Sequence, residues 1–161
     1  VESTVGVGSV FRIFLPSLPP DVAVSPHPAA SDADASSVPR GSGRVLLAED
    51  DAAVRHGVRR MLDAAGYDVV EVADGAKAKA TLDAAGGSFA LLLSDIAMPS
   101  VDGRQLAHQV RARWPALPIV LMSGFADPDT LACDVPGVTL LQKPLEAATL
   151  VNAVQAARRD L

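Results

Sequence analysis

Residues 89–103 read FALLLSDIAMPSVDG, and their reading decides the fold. Phe89–Ser94 is a short apolar run. Gly86-Gly87 stands before it and Pro99 after it. That pattern predicts a buried strand rather than a helix. A strand without polar alternation belongs to a sheet covered on both faces, as parallel sheets are. Asp95 stands at the end of the strand, and Asp102-Gly103 reads as a turn and helix start.

The same alternation extends on both sides. Arg44–Ala48 (RVLLA) is a first strand. Ala52–Ala65 is a first helix, with Val54, Val58, Met61, Leu62 and Ala65 at helical spacing and Gly66 as its stop. Asp68–Val72 is a second strand. Asp74 caps a second helix that runs to about Ala85. After the central stretch come a helix over Gly103–Arg113, a strand over Pro118–Ser123, a strand over Val138–Gln142 and a helix over Leu145–Arg159. Five strand–helix units in residues 44–161 predict an α/β, flavodoxin-like, doubly wound parallel sheet. The expected strand order is 2-1-3-4-5, with helices on both faces.

The composition fits this core. Of 161 residues, 49% are hydrophobic and only 4% aromatic, so Val, Leu, Ile and Ala must fill it. The net charge of -5 argues against nucleic acid or an anionic membrane as partner, since both call for a basic footprint. The single cysteine, Cys133, permits no internal disulfide, which suits a reducing cytoplasm. There is no apolar run long enough to span a bilayer. The chain starts at Val1, not Met, and reads as a piece of a longer, cytoplasmic protein whose parent could be membrane-anchored. Between Pro16 and Gly43 lie six of the twelve prolines, with Ala and Ser and no periodicity. This stretch is expected to be a flexible linker. Ahead of it, Ser9–Leu15 (SVFRIFL) reads as one short strand.

In an open sheet of this order, ligands bind beyond the carboxyl ends of the strands, where the order reverses. Strand one ends in Glu49-Asp50-Asp51, strand three in Asp95, strand four in Ser123, and strand five runs into Lys143. Asp50 and Asp95 therefore meet in one crevice, with Ser123 and Lys143 on its rim. Clustered carboxylates repel unless a cation joins them. Mg²⁺ suits a few carboxylates plus phosphate oxygens. With Lys143 it makes a positive pocket over Asp95, a carboxylate able to serve as a nucleophile toward phosphorus. Asp50 and Asp51 have a competing role as caps of the first helix. His27, His56 and His108 have no metal-ligand spacing and read as surface or core residues.

With those residues in place, the sequence resembles a receiver domain of two-component response regulators. The matching segments are VLLAEDDAAVR (45–55), LLLSDIAMPSVDG (91–103), LMSG (121–124) and QKPL (142–145). The resemblance implies that Asp95 is the phosphoacceptor and takes its phosphoryl group from a phosphohistidine on a helical partner domain. It also implies that Asp50, Asp95 and the Ala97 main-chain carbonyl hold Mg²⁺ and that Glu49 acts indirectly. Ser123 would be the switch hydroxyl and Lys143 the site lysine, with a cis Lys143–Pro144 bond.

ESTVGVGSVFRIFLP (2–16) resembles the last glycine box and final strand of a histidine-kinase ATP-binding domain; the alternative is that Gly6 and Gly8 belong to a plain hairpin. The expected parent is a hybrid sensor kinase, with residues 1–15 as the kinase tail, 16–43 as the linker and 44–161 as the receiver. The piece alone should have no kinase activity. Two departures stand out. Leu140 occupies a position usually aromatic, and Ala126–Pro136 is rich in helix breakers. Both argue for a monomer after phosphorylation. The competing readings are a receiver-like interaction module that is never phosphorylated, and a flavodoxin-like cofactor binder. The second lacks a phosphate-cradling loop after strand one.

Overall fold

The computed structural model describes residues 2–4, 6, 8–12, 14, 41–124 and 134–159. The chain divides into two units, residues 1–35 and 36–161. In the first, β1 (Glu2–Thr4) pairs antiparallel with β2 (Gly8–Val10). The single strand expected at Ser9–Leu15 is thus a shorter strand inside a hairpin. Gly6 and Gly8 carry positive φ angles of 79° and 131° in and beside the turn, where a side chain would strain the backbone. Phe11 and Phe14, read as strand, lie beyond the pairing and are exposed. Most of the expected linker, residues 16–40, falls outside the described residues.

The second unit is the five-stranded sheet. Its strands are β3 (Arg44–Ala48), β4 (Asp68–Val72), β5 (Leu91–Asp95), β6 (Ile119–Ser123) and β7 (Val138–Gln142). They pair in parallel in the order β4-β3-β5-β6-β7, which is 2-1-3-4-5 counted from Arg44. The described helices are α1 (Ala52–Ala64), α2 (Gly75–Ala84), α3 (Gly103–Arg113) and α4 (Ala147–Ala157).

The strand period of two splits the core into two layers. Val45, Leu47, Leu91, Leu93, Val120 and Met122 point to one face, where Val58 and Leu62 of α1 and Leu150, Val151 and Val154 of α4 cover them. Leu46, Leu92, Ile119 and Leu121 point to the other, against Ala78 and Leu82 of α2 and Leu106, Ala107 and Val110 of α3. This is why the inner strands β3, β5 and β6 read as largely apolar runs.

Several boundaries differ from the sequence reading by one or two residues, and three of the differences have a plain physical reason. β5 starts at Leu91, because Phe89 instead packs into the α2–α3 layer. β5 also includes Asp95 as its last, buried residue. α4 starts at Ala147, because Leu145 packs against the α1–α4 layer and Glu146 is extended. Asp51, Asp74 and Asp102 cap α1, α2 and α3 by accepting main-chain N–H bonds. Of the breaker-rich segment 126–136, only residues 134–136 are described. Among the described residues no helix is long and apolar enough to cross a membrane.

Candidate functional site

The parallel register aligns the ends of β3, β5 and β6 at one edge of the sheet. Two hydrogen bonds hold the edge flush beyond the strands. Ile96 N–H donates to Met122 O at 2.9 Å, and Lys143 N–H donates to Ser123 O at 2.8 Å. Four polar side chains are drawn into this otherwise apolar edge: Glu49, Ser94, Asp95 and Ser123 are 1%, 0%, 5% and 2% exposed.

Lys143 supplies the counter-charge. Its Nζ lies 2.7 Å from Glu49 Oε2 and 2.8 Å from Asp95 Oδ1, so one ammonium bridges the ends of β3 and β5. Burial works to lower the affinity of Lys143 for its proton. The hydrogen bonds and charges of Asp95 and Glu49 outweigh it and hold the ammonium above its usual pKa. Glu49 moves up from its ordinary value, chiefly because burial disfavours its charge. The hydrogen bond to Lys143 opposes that shift, and the Asp95 charge adds to it. Oε1 of Glu49 also accepts the Asp51 N–H at 3.3 Å. Both Glu49 oxygens are therefore engaged within the protein.

The acidic run divides its labour. Asp51 Oδ1 accepts from the N–H groups of Ala53 and Val54 at 2.8 and 2.9 Å, which settles the open question of the helix cap. Asp50 is exposed, and its carboxylate faces those of Glu49 and Asp95, with one oxygen of each within 4.8 Å of the others. Three carboxylates against one ammonium leave an excess of negative charge on hard oxygen donors, a donor set that fits Mg²⁺. Ala97, whose carbonyl the resemblance assigns to the metal, is exposed two residues beyond Asp95. The Lys143–Pro144 bond is cis.

Two residues of the site had no role in the sequence reading. Gly103 opens α3 against the main chain of Asp95, where an added Cβ would meet Asp95 O at 2.1 Å. Arg55 Nη1 donates to the carbonyls of Glu49 and Asp50 at 2.7 and 3.2 Å. Each stands within a quoted motif, but its partners are main-chain atoms that spacing does not reveal. Leu140 is half-buried in β7, opposite Leu121, and packs on the α2–α3 side. His56 is exposed, His108 is exposed with Nε2 3.0 Å from Asp134 Oδ1, and His27 lies outside the described residues.

A doubly wound parallel sheet with carboxylates and a lysine gathered at its switch point defines the class, and sequence comparison identifies it. The family model of the response regulator receiver domain matches residues 45–155, and the chain belongs to that family. The chain is 34% identical over 160 residues to the sensor kinase CckA of Brucella abortus (strain 2308), covering 96% of this chain and 17% of that protein. It is 38% identical over 117 residues to the response regulator receiver protein CpdR of the same organism, covering 70% of this chain and 93% of that one. Among solved structures, the receiver domain from the hybrid histidine kinase CckA matches with a TM-score of 0.62 at 36% identity, over 72% of this chain and 99% of that chain. A receiver protein from Sinorhizobium medicae WSM419 matches with a TM-score of 0.67 at 33% identity, over 73% and 95%. The chain thus carries a receiver domain of two-component signalling.

Proposed function

We propose that Asp95 accepts a phosphoryl group from a phosphohistidine in a Mg²⁺-dependent reaction. The observation that carries this reading is the buried Asp95 carboxylate, 2.8 Å from Lys143 Nζ and grouped with Glu49 and Asp50 at the switch-point edge. An Asp95 carboxylate oxygen attacks phosphorus. The P–N bond to the imidazole breaks as the P–O bond forms, and the imidazole leaves with the electron pair. Asp50 and Asp95, with the Ala97 carbonyl, would hold Mg²⁺, whose charge offsets that of the phosphoryl oxygens when it is bound. Glu49 acts indirectly, by orienting Lys143. The Lys143 ammonium already reaches Asp95 and is placed to donate to a phosphoryl oxygen. The buried Ser123 hydroxyl on the neighbouring strand is the switch donor. Hydrolysis of the acyl phosphate at the same site returns Asp95 to its resting state.

The donor in this reading is a helical phosphohistidine domain, either a kinase dimerisation domain or a phosphotransfer protein. A groove of about 440 Å³ beside the site supports that choice. It is lined by Val54, Gly57, Val58 and Met61 of α1 and by Lys143, Pro144 and Leu145, and can receive the apolar side of a helix. The alignment with the sensor kinase covers 96% of this chain and so extends well beyond the sheet. That supports residues 1–15 as a kinase-domain tail, 16–43 as a linker and 44–161 as the receiver of a hybrid kinase in the cytoplasm. Neither nucleic acid nor membrane is a partner of this piece, which acts as a monomer.

The test is incubation with acetyl phosphate, with and without Mg²⁺, followed by intact mass. The wild type should gain one phosphoryl group only with Mg²⁺, and Asp95→Asn none. Labelling of Asp95→Asn at the wild-type rate would refute the assignment. A wild type that takes no phosphate would point instead to an unphosphorylated interaction module.

A further inference from the structure

Arg55 stands one turn into α1 and is half-buried. Its Nη1 donates to Glu49 O at 2.7 Å and to Asp50 O at 3.2 Å. In a continuing strand, successive carbonyls point to opposite sides. One nitrogen reaching both means that the chain turns there, with two adjacent peptide planes fixed from the helix side. The same turn is pinned at two further points. Asp51 N–H bonds to Glu49 Oε1 at 3.3 Å, and Arg55 N–H bonds to Asp51 O at 2.9 Å. With these planes so set, the Glu49 side chain reaches Lys143 at 2.7 Å while the Asp50 carboxylate comes within 4.8 Å of Asp95.

We infer that Arg55 is a positioning residue for the phosphorylation site: it orients the acidic pair through main-chain carbonyls and touches neither metal nor phosphoryl group. The inference rests on the function proposed above. Outer partners that fix ligands in place influence metal affinity by about 10–100-fold. A guanidinium acting only through its charge would have the opposite sign, because its removal would favour a cation.

The test uses the full 161-residue chain. Mg²⁺ affinity is measured by NMR shift titration, and phosphorylation by acetyl phosphate is measured across Mg²⁺ concentrations. In Arg55→Gln, Mg²⁺ should bind roughly 10–100-fold more weakly. Labelling should slow by a similar factor at low Mg²⁺ and recover at saturation. Arg55→Lys keeps donors on a flexible chain and should restore most of the affinity, which guards against a simple loss of folding in the glutamine variant. Wild-type or tighter Mg²⁺ binding in Arg55→Gln overturns the inference. So does a folded Arg55→Lys with no recovery, or a defect that shows only with a protein phosphodonor. If the wild type neither binds Mg²⁺ nor takes phosphate, the proposed function fails first, and the role of Arg55 fails with it.

Discussion

Replacing Gly103 with Ala should damage both the stability and the chemistry of the domain, although the three atoms nearest the added methyl group all belong to the main chain. A Cβ at residue 103 would stand 2.1 Å from Asp95 O, 2.9 Å from Asp95 C and 3.0 Å from Ile96 Cα. Carbon and oxygen need about 1 Å more than the first of these distances. All three atoms are main chain and cannot rotate away. Either α3 lifts, breaking the 3.0 Å hydrogen bond from Gly103 N–H to Ile96 O, or the end of β5 moves. Overpacking of this kind costs about 1–3 kcal/mol. In a domain of this size that lowers Tm by about 5–15 °C. Movement of the Asp95 main chain by about 1 Å should also slow phosphorylation by roughly 100-fold, since the reacting oxygen no longer meets Lys143 and the acidic pair. Thermal unfolding by circular dichroism measures the first effect, and the initial rate of acetyl-phosphate labelling the second. A variant with wild-type Tm and labelling rate would show that α3 does not buttress Asp95.

Lys143→Ala leaves Glu49 and Asp95 facing each other without a counter-charge. Without Mg²⁺ it should lose roughly 2–4 kcal/mol in urea unfolding, somewhat less than a wholly enclosed pair because a fifth of the lysine side chain meets solvent. Added Glu49→Gln should recover part of that loss, and an unchanged unfolding midpoint would exclude an ion-pair role. Asp83 accepts a hydrogen bond from Lys79, which with the nearby Arg113 charge holds its carboxyl below the usual carboxylate range. A depressed folded pKa stabilises above the unfolded value and is lost as pH falls through the folded one. The Tm of Asp83→Asn should therefore fall less steeply than wild type below about pH 4, and parallel Tm curves would refute the coupling. With beryllofluoride and Mg²⁺ the chain should remain monomeric in light scattering, and a clear shift to dimer would mean that Leu140 does not disable the usual switch.

The fold was legible because the core is laminar. The three inner strands β3, β5 and β6 bury both of their faces, so runs such as LLLS and PIVLMS stand out from the alternating helices, and Asp51, Asp74 and Asp102 mark where three helices begin. Boundaries were lost where an apolar residue packs outside its element. Phe89 and Leu145 satisfy a hydrophobic pattern equally well as strand, helix or loop, and only the tertiary layer they join decides. The hairpin stood only as the alternative reading of Gly6 and Gly8, for a related reason. Glu2–Thr4 has no apolar pattern, and its pairing with Gly8–Val10 rests on the main chain and on two glycines with positive φ.

The site divides along the same physical line. Asp50, Asp95, Ser123 and Lys143 could be read from sequence because side-chain chemistry at strand ends is a property of residue type and register. Glu49 and Asp51 were harder, being neighbours of the same kind. Only the burial of one and the capping bonds of the other separate them, since burial raises Glu49 while the Val54 and Ala53 N–H bonds lower Asp51. The part that Gly103 and Arg55 play in the site could not be read, because what they contact there is main chain. A glycine that admits a carbonyl at 2.1 Å from its missing Cβ, and an arginine that holds two carbonyls, carry no signature in residue type. Residues that carry charge into the site are thus visible in the sequence, while those that set its geometry emerge only from the fold. The two proposed backbone supports act on opposite strands: Arg55 on the end of β3 and Gly103 on the end of β5. If both are needed to place Asp50 against Asp95, Arg55→Gln combined with Gly103→Ala should slow labelling by less than the product of the single effects, because either displacement alone already separates the two carboxylates.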